Sequence, residues 1–563
     1  MAHNANGRAY AYGDNNGNHV KAANGAARPD AAALLRNADL EELLVLLPSI
    51  AEREAVLEAV LQDRALASSA QPARVHFSFG SLLSRAKAAA LLTLVLYSLP
   101  VSLLLTAAVV LRHCQRLLQR GQGEELWQRL RAGLSERRAT RGTALVSGAK
   151  STKGLHVCRH LHRAGWRVVL VDTHKNWASG SRFSWCVAGF RTTPIPNKDP
   201  VGYLKTLRAI AVSEKASLFV PVSIAQFSVY EALAAELIKP LGCACCTLDV
   251  ESVAVLNDKI KFSAFCERIG MRVPRSFPIT SCKRLYELNS RSEVFDYQDF
   301  LLKSIHYAAT HRVDQFTLPC DPEALKDYTR TLDISAAAPW QLQQMLKGRE
   351  FSCNTIAHEG RVVAHADNEA CLSCLYYNHV GEKQIYSWVE QFCKRTNASG
   401  QLCFDFMLNK ADGHLYAFEC NPRTSSVLLE YHDHPAFAEA LCNPEGVLAS
   451  GKAPIEPLPG SPPVYWFWNE VGELAFGALP RIARSIYGWW YWLGMWDARE
   501  AAVETFARLR GGVDAVLDPE DPLPFLALHY GQVPLLLLRA IRFGNPWIKV
   551  DLCTGKLVEL GGD

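Results

Sequence analysis

The chain has 563 residues, 49% of them apolar and 21% charged, with a formal net charge of +4. That length predicts two to four folded units with ample core, and the small net charge argues against a nucleic-acid partner. The 17 cysteines are odd in number, irregularly spaced and mostly single within apolar runs (Cys158, Cys266, Cys393, Cys403), which indicates reduced thiols rather than a disulfide framework.

Residues 1 to about 35 are rich in Ala, Asn and Gly and lack an apolar period, so they read as disordered or leader-like. Asp39 to Leu66 has leucines and valines at three- and four-residue spacing, the pattern of an amphipathic helix or helical pair; residues 1–75 are thus a leader plus a small docking module. Ala88 to Leu111 carries no charge over 24 residues, long enough to cross a bilayer, with Pro100 tolerated as a kink. Arg85 and Lys87 precede it, and Arg112, Arg116 and Arg120 follow. The stronger downstream flank places the C-terminal part on the cytosolic or stromal side of a single-pass membrane protein. A buried core helix or a membrane-surface hairpin bent at Pro100 are the alternatives. Residues 113–141 form a basic linker.

Residues 142–256 alternate strands with helices, the mark of a parallel α/β domain. Ala144–Ser147, Arg167–Asp172 and Leu218–Val222 are its predicted strands, and Thr152–Ala164 a predicted helix. Gly148 permits a tight strand-to-helix turn where Lys150 and Lys153 could face an anion. The absence of G-x-G-x-x-G disfavours a dinucleotide fold. Cys243, Cys245 and Cys246, and the single C-x-x-C of Cys371 and Cys374, lack the second pair that zinc requires.

Residues 257–452 carry the chemistry. Asp258 suits the cap of a helix running through Phe262, Phe265 and Ile269, with Lys259 able to reach a phosphate. Phe300–Ser304 is an apolar strand holding Lys303, a lysine expensive to bury unless a phosphate or a glutamate pairs it. Trp340 to Ser352 reads as strand, turn at Lys347–Gly348, strand. Gly400 to Arg423 reads as a hairpin of Phe404–Lys410 and His414–Asn421. A three-residue loop, with Gly413 left-handed, sets Lys410 against His414 and Asp405 against Glu419. Asn421 then shares a face with Glu419. Two facing carboxylates repel unless a hard cation sits between them, and Mg²⁺ is suited to a few carboxylates with phosphate and water. A solvated polar hairpin is the alternative. Five prolines from Pro454 to Pro463 mark a boundary, and residues 453–563 form an aromatic-rich extension with four tryptophans between Tyr487 and Trp496 and an apolar run at Pro534–Leu538. Core or subunit packing, or a membrane interface, would suit the aromatics.

The ordered set Lys259, Lys303, Gln343–Glu350, Asp405 and Glu419–Asn421 resembles the ATP-grasp superfamily. That resemblance implies an N-terminal α/β domain, a lid and a C-terminal α+β domain, with ATP and Mg²⁺ as cofactors. It implies that Lys259 and Lys303 contact phosphates, that Gln343, Gln344 and Leu346 line the adenine, and that Glu350 binds ribose. Asp405, Glu419 and Asn421 match the metal ligands, and Arg423 matches a residue stabilising the transferred phosphate. Two departures stand out: many relatives carry Glu at the position of Gln343 or Gln344, and the loop Ile305–Arg312 is not glycine-rich, so closure over phosphates would rely on Arg312.

A closer likeness lies in Ala144-Leu-Val-Ser-Gly-Ala-Lys150, His174-Lys-Asn-Trp177, Ser179-Gly-Ser-Arg-Phe183, Glu419-Cys-Asn-Pro-Arg-Thr424, His434-Pro435, Trp547-Ile-Lys-Val-Asp-Leu552 and Gly555–Asp563. From roughly Leu83 onward the chain resembles the mycosporine-glycine synthases. That family implies glycine and 4-deoxygadusol as substrates and a phosphorylated cyclohexenone intermediate. His174, Arg182 and His434 are candidates for substrate contact, with structural roles as the alternative. Another ATP-grasp ligase acting through an acyl phosphate, or a catalytically idle nucleotide-binding scaffold at a membrane, remain open, as does a homodimer.

Overall fold

The computed structural model describes residues 79–119, 140–471 and 498–544, apart from 223, 292–294, 296–297, 306–315, 331, 337 and 371–374. The expected leader and docking module, Arg120, Arg312, Cys371, Cys374, the Tyr487–Trp496 cluster and the segments from Trp547 onward lie outside them.

The α/β unit forms as the alternation implies. β1 (Thr143–Ser147), β2 (Arg167–Thr173), β3 (Gly189–Thr193), β4 (Ala216–Val220) and β5 (Ala244–Cys245) make a parallel sheet in the order β3-β2-β1-β4-β5. β1 is buried along its whole length, because helices cover both faces of such a sheet. Ser151 caps the Thr152–Arg163 helix by accepting from the Gly154 amide. The strand order reverses between β1 and β4, so the loops after Ser147 and Val220 open at one crevice.

Two antiparallel sheets follow. β6 (Ser276–Ile279), β7 (Phe300–Ser304), β8 (Thr317–Leu318) and β9 (Trp340–Gln344) pair in the order β6-β9-β7-β8 over a core of Phe295, Phe300, Leu302, Leu325 and Leu342. β10 (Gly348–His358), β11 (Arg361–Glu369), β13 (Gly400–Asn409) and β14 (Leu415–Asn421) pair as β11-β10-β13-β14. On this second sheet Phe404 and Phe406 pack against Trp388 of the Lys383–Thr396 helix, with ring centroids 5.0 and 5.3 Å apart. Strand alternation therefore turns Asp405 to the opposite face.

Residues beyond the proline-rich boundary return to the body. β12 (Tyr376–Tyr377), β15 (Val464–Tyr465) and β16 (Val513–Asp514) form a small sheet. Buried Arg159, on the Thr152–Arg163 helix, donates to Asp521 (2.9 Å) and to the Val516 carbonyl (2.9 Å), clamping this C-terminal part onto the α/β unit.

The uncharged stretch from Ala88 to Leu111 is two helices, Phe79–Tyr97 and Leu99–Gln119, broken at Ser98. Pro100 sits in the first turn of the second helix, where its missing N–H costs nothing. Among the described residues, Leu99–Gln119 and Leu523–Phe543 are long and apolar enough to cross a membrane, a test that core helices of soluble proteins also pass.

Candidate functional site

The hairpin brings Asp405 opposite Glu419, but by a different route from the one expected. The tip is one residue longer: Asn409, not Lys410, pairs with His414, and the Gly413 amide closes the turn onto the Asn409 carbonyl (2.8 Å) with φ of +69° at Gly413. Leu408 faces Leu415 and Phe406 faces Ala417. A β-bulge then places Phe418 as an extra residue on β14, and the register shifts back to join Asp405 with Glu419 and Cys403 with Asn421.

The bulge also organises the second sheet's approach. Its Phe418 carbonyl accepts from Gln343 Nε2 (3.1 Å), and Gln343 Oε1 accepts from Lys303 Nζ (2.7 Å). Lys303 Nζ lies 5.1 Å from the Phe418 ring centroid. Burial pushes the Lys303 ammonium down, and Glu419, then Glu350 and Asp405, oppose that shift while Lys259 adds to it. Lys259 Nζ lies 3.2 Å from Glu419 Oε1. It stands at the start of the Lys259–Arg268 helix, whose first amides are capped by Asp258. Glu350 reaches solvent, yet the protein around it pushes its carboxyl above the usual range; Lys303 pulls it down and Glu419 pushes it up.

Asp405 accepts from Ser352 Oγ (2.5 Å) and from Asn421 Nδ2 (3.1 Å). Asn421 Oδ1 in turn accepts from Arg423 Nη2 (2.5 Å), and Arg423 Nη1 donates to Asn257 (3.3 Å). Burial pushes the Arg423 guanidinium down, against the pull of Cys403, Glu419 and Asp405. Lys259, Lys303, Gln343, Glu350, Asp405, Glu419, Asn421 and Arg423 are thereby joined by direct contacts or near-neighbour charge interactions. Gln344 turns elsewhere: it donates to Gln298 and accepts from the Arg275 amide (3.2 Å), at the outer side of β9. Leu346, half-buried, lies in the connection from β9 to β10.

The donor set fits a hard divalent cation in part. Asp405 and Glu419 are facing, half-buried carboxylates, and Lys259 now neutralises Glu419. Asn421 presents its nitrogen to Asp405 and its oxygen to Arg423, so a ligand role for that oxygen would use its second lone pair, beside the guanidinium. Among the described residues no group of three or more His, Cys, Asp or Glu side chains is arranged to hold a metal ion by itself.

Three participants escape sequence reading. Ser352 faces Asp405 only because β10 pairs with β13, a register set over more than fifty residues of chain. Asn257 precedes the helix cap and meets Arg423 from a separate segment. Gln341, fully buried, donates to the Lys259 carbonyl (3.2 Å) and Ser263 (3.1 Å), fixing the helix that presents Lys259.

The candidate substrate residues are dispersed. His174 lies 3.2 Å from the Thr193 carbonyl at the end of β3; Arg182 donates to the Trp177 carbonyl (2.5 Å) and stacks over Phe190; His434 accepts from the Ala436 amide (3.1 Å). Lys153 bridges toward the hairpin, donating to the Thr424 carbonyl (2.7 Å).

No protein-family model matches the sequence, and no curated protein matches it. Solved structures similar in fold include N5-carboxyaminoimidazole synthetase from Staphylococcus aureus complexed with ADP, 13% identical over 54% of this chain and 78% of that one, with a TM-score of 0.41. The biotin carboxylase domain of Hydrogenobacter thermophilus 2-oxoglutarate carboxylase, with MgADP, is 14% identical over 55% and 70%, TM-score 0.41. Campylobacter jejuni biotin carboxylase is 15% identical over 51% and 66%, TM-score 0.40.

Proposed function

We propose that the chain is an ATP-grasp ligase that forms a carbon–nitrogen bond at the expense of ATP. The observation that carries this reading is the facing Asp405–Glu419 pair ringed by Lys259, Lys303 and Arg423. Carboxylates and cations alternate there as a phosphate–metal site demands, since each needs counter-charge in a half-buried place. Asp405, Glu419 and Asn421 would hold Mg²⁺, which when bound neutralises phosphate charge. Lys259 and Lys303 would bind phosphates. Lys303 is already desolvated, so it forms strong charge-assisted hydrogen bonds without reorganising water. Arg423 would meet the phosphate being transferred, and Arg312 would close over it. Glu350 would accept from ribose hydroxyls, and Gln343, Leu346 and the backbone near Gln344 would line the adenine.

On the substrate side, we take glycine and 4-deoxygadusol as the pair, giving mycosporine-glycine. The γ-phosphoryl group of ATP passes to the enol oxygen of the cyclohexenone, releasing ADP. The glycine amine adds to the carbon bearing that oxygen, the C–O bond breaks, phosphate leaves and the amine loses a proton, leaving an enaminone. What supports this pair is the run of motif residues from Ala144 through the C-terminal tail, rather than any pocket geometry. An acyl-phosphate ligase would release the same ADP and phosphate. Membrane association belongs to the reading, with the catalytic part on the ATP-bearing cytosolic or stromal side; one span through Leu99–Gln119 is one way to make it.

The test is purified protein with ATP, Mg²⁺, glycine and 4-deoxygadusol, followed by mass spectrometry. A glycine-dependent product with the mass of mycosporine-glycine is expected. Nucleotide binding without that product refutes the substrate pair; no nucleotide binding refutes the whole reading.

A further inference from the structure

Within the uncharged stretch from Ala88 to Leu111, Leu105 and Val109 of the second helix pack against the core, yet other leucines face out while hydroxyls are buried. A helix docked on a water-soluble body normally turns apolar residues inward and polar ones outward. In Leu99–Gln119 the buried residues are Ser102, Thr106 and Leu117, while Leu103, Leu104 and Leu111 face out, Leu104 at 72% exposure. The inward hydroxyls are matched. Ser102 Oγ accepts from Tyr530 Oη (2.6 Å) and from Trp468 Nε1 (3.1 Å), Ser98 Oγ lies 2.8 Å from Tyr530 Oη, and Thr106 donates to the Ser102 carbonyl (2.7 Å). The Phe79–Tyr97 helix shares a core with the Val533–Phe543 helix through Ala88, Leu91, Leu92 and Val95, and it leaves Leu94, Leu96 and Tyr97 exposed. Leu535 and Leu538 are likewise exposed on the Val533–Phe543 helix that packs against Phe79–Tyr97.

We infer that this three-helix face lies in one leaflet of an anionic bilayer and that the chain does not cross it. The inference rests on the membrane association proposed above and states how it is made. Polar-in, apolar-out packing is the arrangement expected where the outer solvent is lipid. Leu99–Gln119 crossing alone, as in a single-pass protein, would have to leave Tyr530 and Trp468 and carry Ser98 and Ser102 into hydrocarbon without their partners. Arg112, Arg116 and Arg542 are exposed on the same helices as the outward leucines, and anionic headgroups would attract them. Past Trp468 the sequence enters Trp489, Trp490, Tyr491 and Trp492, residue types favoured at a membrane–water interface.

The full chain, tagged at both termini, is synthesised in the presence of sealed microsomes, floated on a density gradient and treated with external protease. Co-flotation with both tags and all loops between the helices digested is the expected result. The double variant Leu103→Glu, Leu104→Glu should lose flotation at least tenfold while melting at the parent temperature. Flotation with one tag protected, or with a protease-protected internal loop between helices, means the chain crosses, which overturns the in-plane mode and leaves membrane association standing. Failure of the unaltered chain to float overturns both. A soluble dimer by light scattering that the double variant splits assigns the face to a second copy and overturns the inference. Should the variant misfold, protection of tags and internal loops on the unaltered chain still decides.

Discussion

Replacing Glu419 with Gln separates stability from chemistry. Glu419 sits half-buried, with Lys259 Nζ at 3.2 Å as its cationic partner. Loss of one such pair, with the amide still able to accept a hydrogen bond, costs about 1 kcal/mol of stability. For a single cooperative unit of this size that is a melting shift of about 1 °C. The chemical cost is larger, because a carboxylate facing Asp405 is removed from the proposed metal and phosphate site. Losing one preorganised electrostatic contact typically lowers kcat by about 10²–10³, or about 2.7–4 kcal/mol. A second signature follows from Lys303. Burial already pushes its ammonium down and Glu419 is the largest group opposing that shift, so Glu419→Gln lowers it further. Any alkaline limb of the pH–rate profile due to Lys303 therefore moves to lower pH. ADP release under saturating ATP, thermal melting and the pH profile are the three readouts. Turnover within about threefold of the parent, at an unaltered melting temperature, would refute the assignment of this carboxylate.

Gln343→Leu removes both the N–H that reaches the Phe418 carbonyl and the oxygen that accepts from Lys303; it should cost about 1–3 kcal/mol in denaturant melts, and no loss would mean the bulge does not depend on those contacts. Gly400→Ala should unfold the protein or lower its yield sharply: φ is +137° there, and a Cβ would meet the Leu248 amide nitrogen at 2.4 Å and the Thr247 carbonyl carbon at 2.5 Å. Normal expression and melting would contradict it. Buried Glu430, pushed up to about 8, and His379, held up to about 10 beside Asp367 and Glu430, both bind protons more tightly in the folded chain. Stability therefore falls as pH rises, from the usual carboxyl range to about 8 for Glu430 and from about 6.5 to about 10 for His379, at up to about 1.4 kcal/mol per pH unit per group. Glu430→Gln should flatten the first part of that decline, and an unchanged melting-versus-pH curve would count against the proton uptake.

Local signals read well from sequence. β1, β2 and β7 and the helix capped by Asp258 form within a residue or two of where period, cap and turn chemistry put them, since each depends on neighbours a few positions away. The harder features depend on distant partners. Ser352 is one serine in a strand until β13 is laid beside β10, and only that pairing aims it at Asp405. Gln344 looks equivalent to Gln343, yet strand alternation sends one toward Phe418 and the other toward Gln298. The apolar stretch from Ala88 reads as one long helix because hydropathy weighs composition and not the hydrogen bonds that Ser98 and Ser102 make with Tyr530, more than four hundred residues away.

The hairpin shows how a correct pairing can rest on an incorrect turn. A three-residue tip with unbroken strands, and a four-residue tip with one bulge, both place Asp405 opposite Glu419, because an added loop residue and an added β14 residue shift register in opposite senses. The two arrangements differ in what they do at Phe418. Without the bulge, no carbonyl would be turned out of the ladder toward Gln343, and Lys303 would lose the amide oxygen that Gln343 holds for it. The bulge thus links the metal-type carboxylates of one sheet to the buried lysine of the other. That coupling, rather than the carboxylate pair alone, makes the two sheets a single candidate site.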